Sequence, residues 1–162
     1  MAAQNPEMLE KARLESEPEF CNVLRRNGYV DVVQGTTNDD YAHTDVFAWR
    51  KGRRWTFDVK DQTDKWKGVS RKYRISGDMY KDIKANVEKY RGHFLACRLY
   101  GRDKMATGEY ACVATLDAIQ FAVSKLGTKR RKSGEVVPDM YWLFDVEACM
   151  KQTHPSRWRV YK

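Results

Sequence analysis

The sequence predicts an α/β domain, a central mixed β-sheet flanked by helices, and three stretches carry that prediction. Residues 17–28 (EPEFCNVLRRNG) set Phe20, Val23 and Leu24 at helical spacing, with acids first, arginines late and a glycine just beyond. Residues 44–60 read as two strands rich in Val, Phe, Trp and Thr, joined at Lys51-Gly52. Residues 78–91 repeat Met79, Ile83 and Val87 at i, i+4 and i+8, then pass through Gly92 into the apolar strand HFLACRLY. With a strand at 29–33, the order over residues 17–100 is αβββαβ.

Each remaining element has a local reason. Met8, Leu9 and Ala12 can line a short helix starting near Asn5-Pro6, within an extension covering residues 1–16. Pro18 suits the first turn of the next helix, where its missing N–H is no loss. Residues 35–41 form a polar connection to the hairpin, and residues 61–77 read as a loop interleaving cations with Trp66 and Tyr73. Residues 101–162 form a C-terminal β-α-β extension. It has a strand at 110–115, a helix at 116–126 capped by Thr115, a basic loop at 127–138, a strand at 140–146 and a short helix at 147–151. At 162 residues, one domain spanning 1–162 is expected.

Composition narrows the partners. A formal charge of +8, five Trp and nine Tyr favour a polyanion, because cations engage phosphates and aromatic faces stack on bases. The candidate contacts are Lys65, Lys67, Arg71, Lys72 and Arg74 in the first basic loop and Lys129, Arg130, Arg131 and Lys132 in the second. Cysteines 21, 97, 112 and 149 have neither C-x-x-C nor zinc spacing, so they read as buried thiols of a reducing compartment. The chain shows no apolar run of membrane-spanning length and no secretory signal, so a cytoplasmic protein without a membrane partner is expected.

The chemistry concentrates at the hairpin. If Lys51 and Gly52 are the central turn residues, Arg50 pairs with Arg53 and Asp45 falls opposite Asp58. Side chains alternate along a strand, so Lys60 shares the face of Asp58 while Val59 points away and can turn its carbonyl toward the acids. Two carboxylates, a carbonyl and a lysine suit Mg²⁺ or Mn²⁺ beside an attacking water. A second triplet of the same form, Asp82-Ile83-Lys84, lies in a helical pattern and serves as an internal decoy.

This order of elements and the Asp45…Asp58-Val59-Lys60 motif resemble the PD-(D/E)XK nuclease superfamily, with its restriction-endonuclease-like core. The likeness covers residues 17–100, and Thr44 stands where the signature has proline. The resemblance implies a metal-dependent phosphodiester hydrolase acting on duplex or branched DNA, with Asp45 and Asp58 on the metal and Lys60 assisting the water. It adds a helix acid eleven residues before the closing glycine, which falls on Glu17, with Glu19 as the alternative. Similar spacing in Holliday-junction resolvases points to a structure-selective endonuclease.

His43 falls opposite Lys60 in the same register and reads as a surface histidine or a phosphate contact. Cutting two strands symmetrically would suit a homodimer. Replacing Asp58 or Lys60 by Ala is expected to abolish cleavage with folding near normal. The competing reading is a nucleic-acid-binding or protein-interaction module that keeps this scaffold without cutting.

Overall fold

The computed structural model describes residues 12–35 and 43–162, so the helix start at Asn5-Pro6 and most of the 35–41 connection lie outside the described residues. A π-helical turn, Ala12–Ser16, leads into α1, Glu17–Arg26. Gly28 follows at φ +87°, the left-handed backbone that closes a helix and that only glycine adopts freely. The chain continues through β1 (Val30–Gln34), β2 (Val46–Arg50) and β3 (Arg53–Lys60). Lys51 and Gly52 both have positive φ, the type I′ geometry of a two-residue hairpin turn matched to strand twist. Arg50 faces Arg53 and Val46 faces Phe57, the register the sequence predicts.

Beyond the hairpin come β4 (Lys72–Ser76), α2 (Gly77–Ala85), β5 (His93–Tyr100) and β6 (Ala106–Ala114). Then follow the short α3 (Thr115–Ala118), β7 (Val123–Arg130), β8 (Val136–Asp145), α4 (Val146–Gln152) and β9 (Trp158–Tyr161). A six-stranded mixed sheet has the order β1-β2-β3-β5-β6-β9, and a three-stranded sheet has the order β4-β8-β7. Among the described strands, only the β3–β5 pair is parallel, which the crossover through β4 and α2 allows.

The large sheet carries apolar cores on both faces. On one, Phe20, Val23 and Leu24 of α1 meet Val46, Ala48, Phe57 and Val59. Phe20 touches Phe57 edge-on with ring centroids 5.0 Å apart, and burying each such side chain contributes about 1.5–3 kcal/mol. On the other face, Met79 and Ile83 of α2 join Leu95, Cys97 and Leu99 of β5, with Tyr73, Ile75 and Phe144 of the small sheet closing over them. Odd-numbered residues of β5 face α2, whereas Ala96 faces α1. All four cysteines are free and buried. Among the described residues, no helix is long and apolar enough to cross a membrane.

Several expectations are corrected. The 61–77 loop ends at β4, so Lys72 and Arg74 are strand residues paired with β8. The helix at 78–91 stops at Ala85, because Asn86 leaves helical geometry (φ −133°, ψ 55°), and a 3₁₀ turn, Val87–Tyr90, follows. Val87 is therefore exposed rather than part of the core stripe.

The helix expected at 116–126 breaks after the 3₁₀ turn Ile119–Phe121, and β7 begins at Val123 because its backbone pairs with β8, a long-range contact that overrides local helical spacing. Thr115 is the first helical residue, not the cap, and gives its hydroxyl to His93. The extension thus holds β6, α3, β7, β8, α4 and β9 rather than β-α-β.

Candidate active site

The acids gather where the hairpin opens. Asp45 precedes β2, donates its amide N–H to the Phe57 carbonyl at 2.8 Å and stands beside Asp58, to which its carboxyl group is hydrogen-bonded. Val59 points into the α1 core, as predicted, and its N–H donates to Asp45 Oδ2 at 2.8 Å. Asp58 and Lys60 emerge on the α2 side, where their charged ends lie 2.8 Å apart and largely buried. Lys60 Nζ also lies 3.7 Å from Met79 Sδ.

Charge at this cluster follows from burial and proximity. Burial, and after it the neighbouring Asp58 carboxylate, push Asp45 well above the usual carboxylate range. Burial opposes ionisation of Asp58 too, yet the Lys60 ammonium and the hydrogen bond from Asp45 outweigh it and hold Asp58 low. Burial likewise disfavours the Lys60 charge, but pairing with Asp58 prevails and its pKa is raised. The two carboxyl groups therefore share one proton, with Lys60 cationic beside them.

Glu17 is buried at the start of α1, accepts a hydrogen bond from Gln34 Nε2 at 3.2 Å and lies within electrostatic reach of Asp45. Glu19 is committed elsewhere. Its Oε1 accepts from the Tyr110 hydroxyl at 2.8 Å and from Arg98 Nε at 3.2 Å, and Arg98 also binds Asp61. Of the two candidate helix acids, Glu17 is the one that faces the aspartates. Among the described residues, no three His, Cys, Asp or Glu side chains form a ready-made metal cluster. The donor set is the Asp45–Asp58 pair, a hard-oxygen couple that fits Mg²⁺ or Mn²⁺ because a divalent cation can replace the shared proton.

His43 is half-buried rather than a surface residue, and burial lowers its pKa against the pull of Asp58. Its carbonyl binds His93, which sequence reasoning missed. His93 Nε2 donates to the His43 carbonyl at 2.9 Å while Nδ1 accepts from the Thr115 hydroxyl at 2.6 Å, a neutral ring fixed in one tautomer. Asp58 faces Leu95 across the parallel β3–β5 pair, and His93 is two residues from Leu95 on the same face. Strand alternation gave the signal, but only the parallel register relates it to the acids.

Burial brings the His93 pKa down to about 4, despite the nearby Asp58 charge. The unfolded chain takes up a proton near the ordinary 6.5 and the folded chain resists until about 4. The contribution is therefore complete above pH 6.5 and lost as pH falls through that window, on the order of 3 kcal/mol in total. We expect melting temperature to fall more steeply between pH 7 and pH 5 in the parent than in His93→Gln. Parallel curves for the two proteins would contradict this role.

The predicted basic contacts are dispersed. Lys65 and Lys72 lie against the Trp66 ring at 4.8 and 5.5 Å, Lys67 pairs with Asp64 at 3.1 Å, and Arg74 stacks over Tyr141. Arg71 is exposed beside β4. Lys129 and Arg130 end β7, while Arg131 and Lys132 belong to the tip of the β7–β8 hairpin, in the small sheet rather than the sheet that carries the acids. The decoy Asp82 instead anchors the end of α2, accepting from Asn86 Nδ2 and Lys89 Nζ, both at 2.8 Å.

No protein-family model matches the chain, and a comparison with curated proteins found no match.

Proposed function

We propose that this chain is a Mg²⁺- or Mn²⁺-dependent nuclease that hydrolyses phosphodiester bonds in DNA on a restriction-endonuclease-like core. Within that class, the reading that fits its small size and helix-to-glycine spacing is a structure-selective endonuclease of the junction-resolvase type. The observation that carries the proposal is the hydrogen-bonded pair of a half-buried Asp45 and a buried Asp58, with Lys60 2.8 Å from Asp58, at the open end of one hairpin. A lone carboxylate on a hairpin rim would remain solvated, and a purely structural acid would end in one ion pair. Two carboxylates forced to share a proton form an incomplete cation site.

Asp45 and Asp58 would hold the metal, with the Val59 carbonyl and Glu17 as further oxygen donors. When bound, a divalent ion polarises the scissile phosphate and neutralises charge developing on it. Lys60, kept cationic by Asp58, cannot take a proton from water. It serves instead as a donor that orients the attacking water and stabilises the phosphate oxygens as negative charge builds. Val59 N–H holds the Asp45 carboxyl in place by donating to Oδ2.

Supercoiled plasmid, linear duplex and a four-way junction, each incubated with Mg²⁺, Mn²⁺ or chelator, test the reading. Cleavage that requires the divalent ion and is fastest on the junction is expected. A competing reading, a non-catalytic nucleic-acid-binding module, draws on the lack of a three-carboxylate cluster among the described residues. Salt-dependent DNA binding with no cleavage under any of these conditions would establish it over hydrolysis.

A further inference from the structure

A cavity of about 340 Å³ opens on the α1 face of the large sheet, beyond the part that α1 covers. Its volume falls within the range, about 300–1,000 Å³, of sites that hold small organic ligands. None of Asp45, Asp58, Lys60 or Glu17 lines it, so nothing about it rests on the nuclease reading. Trp55, Phe57 and Phe94 supply aromatic surface, with Trp55 and Phe94 stacked at 5.2 Å between centroids. Tyr29 and Tyr161 also line the cavity, their hydroxyls hydrogen-bonded to each other.

Charge around the cavity is of one sign. Arg50, Arg157 and Arg159 line it, and no Asp or Glu does. Arg50 lies over the Tyr29 ring at 5.3 Å and Arg159 over Tyr161 at 5.6 Å, while Arg157 is fixed by two hydrogen bonds to Asp117 at 2.7 and 2.9 Å. Packing against rings limits the Arg50 and Arg159 rotamers without neutralising their charge, so these two guanidinium groups retain donors for an anion.

We infer that this cavity binds a nucleotide unit, its base against the aromatic side chains and its phosphate on the arginines. Aromatic faces stack on any base, and guanidinium forks match phosphate oxygens in pairs. An apolar ligand would leave Arg50 and Arg159 without an anionic partner among the described residues, and inorganic phosphate would leave the aromatic surface uncovered. A free mononucleotide and an unstacked nucleotide of a strand present the same chemistry.

The test is run in chelator, so that no strand is cut, with AMP, adenosine, inorganic phosphate and a 5′-phosphorylated single-stranded oligonucleotide as probes. Binding is measured by equilibrium dialysis for the parent, Arg159→Gln and Trp55→Leu. Arg159 is exposed on edge strand β9 with a side-chain hydrogen bond to Tyr161, and the Trp55 indole N–H has no hydrogen-bond partner among the described residues, so the two changes together break that one bond. Melting curves identify any variant that fails to fold, and Arg159→Gln alone then decides.

Each variant is expected to weaken AMP binding about 10-fold, the loss typical of one stacking or charge-assisted contact. Adenosine and phosphate should each bind at least about 10-fold more weakly than AMP. Oligonucleotide binding reduced by both variants, with AMP not bound, would place the nucleotide in a strand and still support the site. Absence of binding by both AMP and oligonucleotide, or binding by either that is indifferent to the two substitutions, would overturn the inference.

Discussion

Replacing Lys60 with methionine is expected to remove cleavage, at least about 10³-fold, and also to destabilise the protein by about 3 kcal/mol. The hairpin read alone suggested that this residue could be removed with folding near normal. Burial changes that expectation, because Lys60 and Asp58 form an ion pair whose side chains are only 14% and 8% exposed. Loss of the ammonium leaves Asp58 an uncompensated buried charge beside Asp45. The double variant Asp58→Asn/Lys60→Met removes both charges and should lose less stability than the sum of the single losses. Urea midpoints for the four proteins of this cycle measure the coupling, with plasmid cleavage assayed well below the lowest midpoint. Cleavage by Lys60→Met within tenfold of the parent rate would remove the lysine from the chemistry.

Asp45→Asn should have opposite effects on stability and turnover. A carboxyl whose pKa is raised on folding binds its proton more tightly in the native state than in the unfolded chain. Its contribution is therefore greatest below the ordinary value of 3.8 and declines as pH rises through the raised one. At neutral pH the fold bears that cost, since Asp45 must either hold a proton or ionise next to Asp58.

Asparagine reproduces the protonated form: its oxygen can accept from Val59 N–H and its amide can donate to Asp58. A gain of about 1–2 kcal/mol, or about 3–6 °C in melting temperature at pH 7, is expected. Cleavage should fall about 10³-fold, the scale seen when a group stabilising the transition state is removed. Mg²⁺ should raise the melting temperature of the parent and not that of the variant, since only the parent retains both carboxylates. A variant that melts lower than the parent and still responds to Mg²⁺ would contradict the shared-proton arrangement.

The sequence by itself determined the parts of this protein whose causes are local. The Lys51-Gly52 turn fixed the hairpin register, because a type I′ pair with positive φ at both residues closes two strands in two residues. Strand alternation then placed Asp58 and Lys60 on one face and Val59 on the other. The α1 span was legible from three apolar residues and a closing glycine, and β5 from an unbroken apolar run.

Only the tertiary structure decided what depends on distant partners. Residues 123–130 pair as a strand where local spacing suggested helix to 126 and a basic loop beyond, since β8 supplies their hydrogen bonds from across a turn. The fold separated Glu17 from Glu19 by giving the latter to Arg98 and Tyr110. The β3–β5 register placed His93 on the face of Asp58, and packing of α2 and the small sheet enclosed the ion pair. Backbone turns and alternation are properties of a few neighbouring residues, whereas burial and charge state are set by whichever surfaces the whole chain brings together.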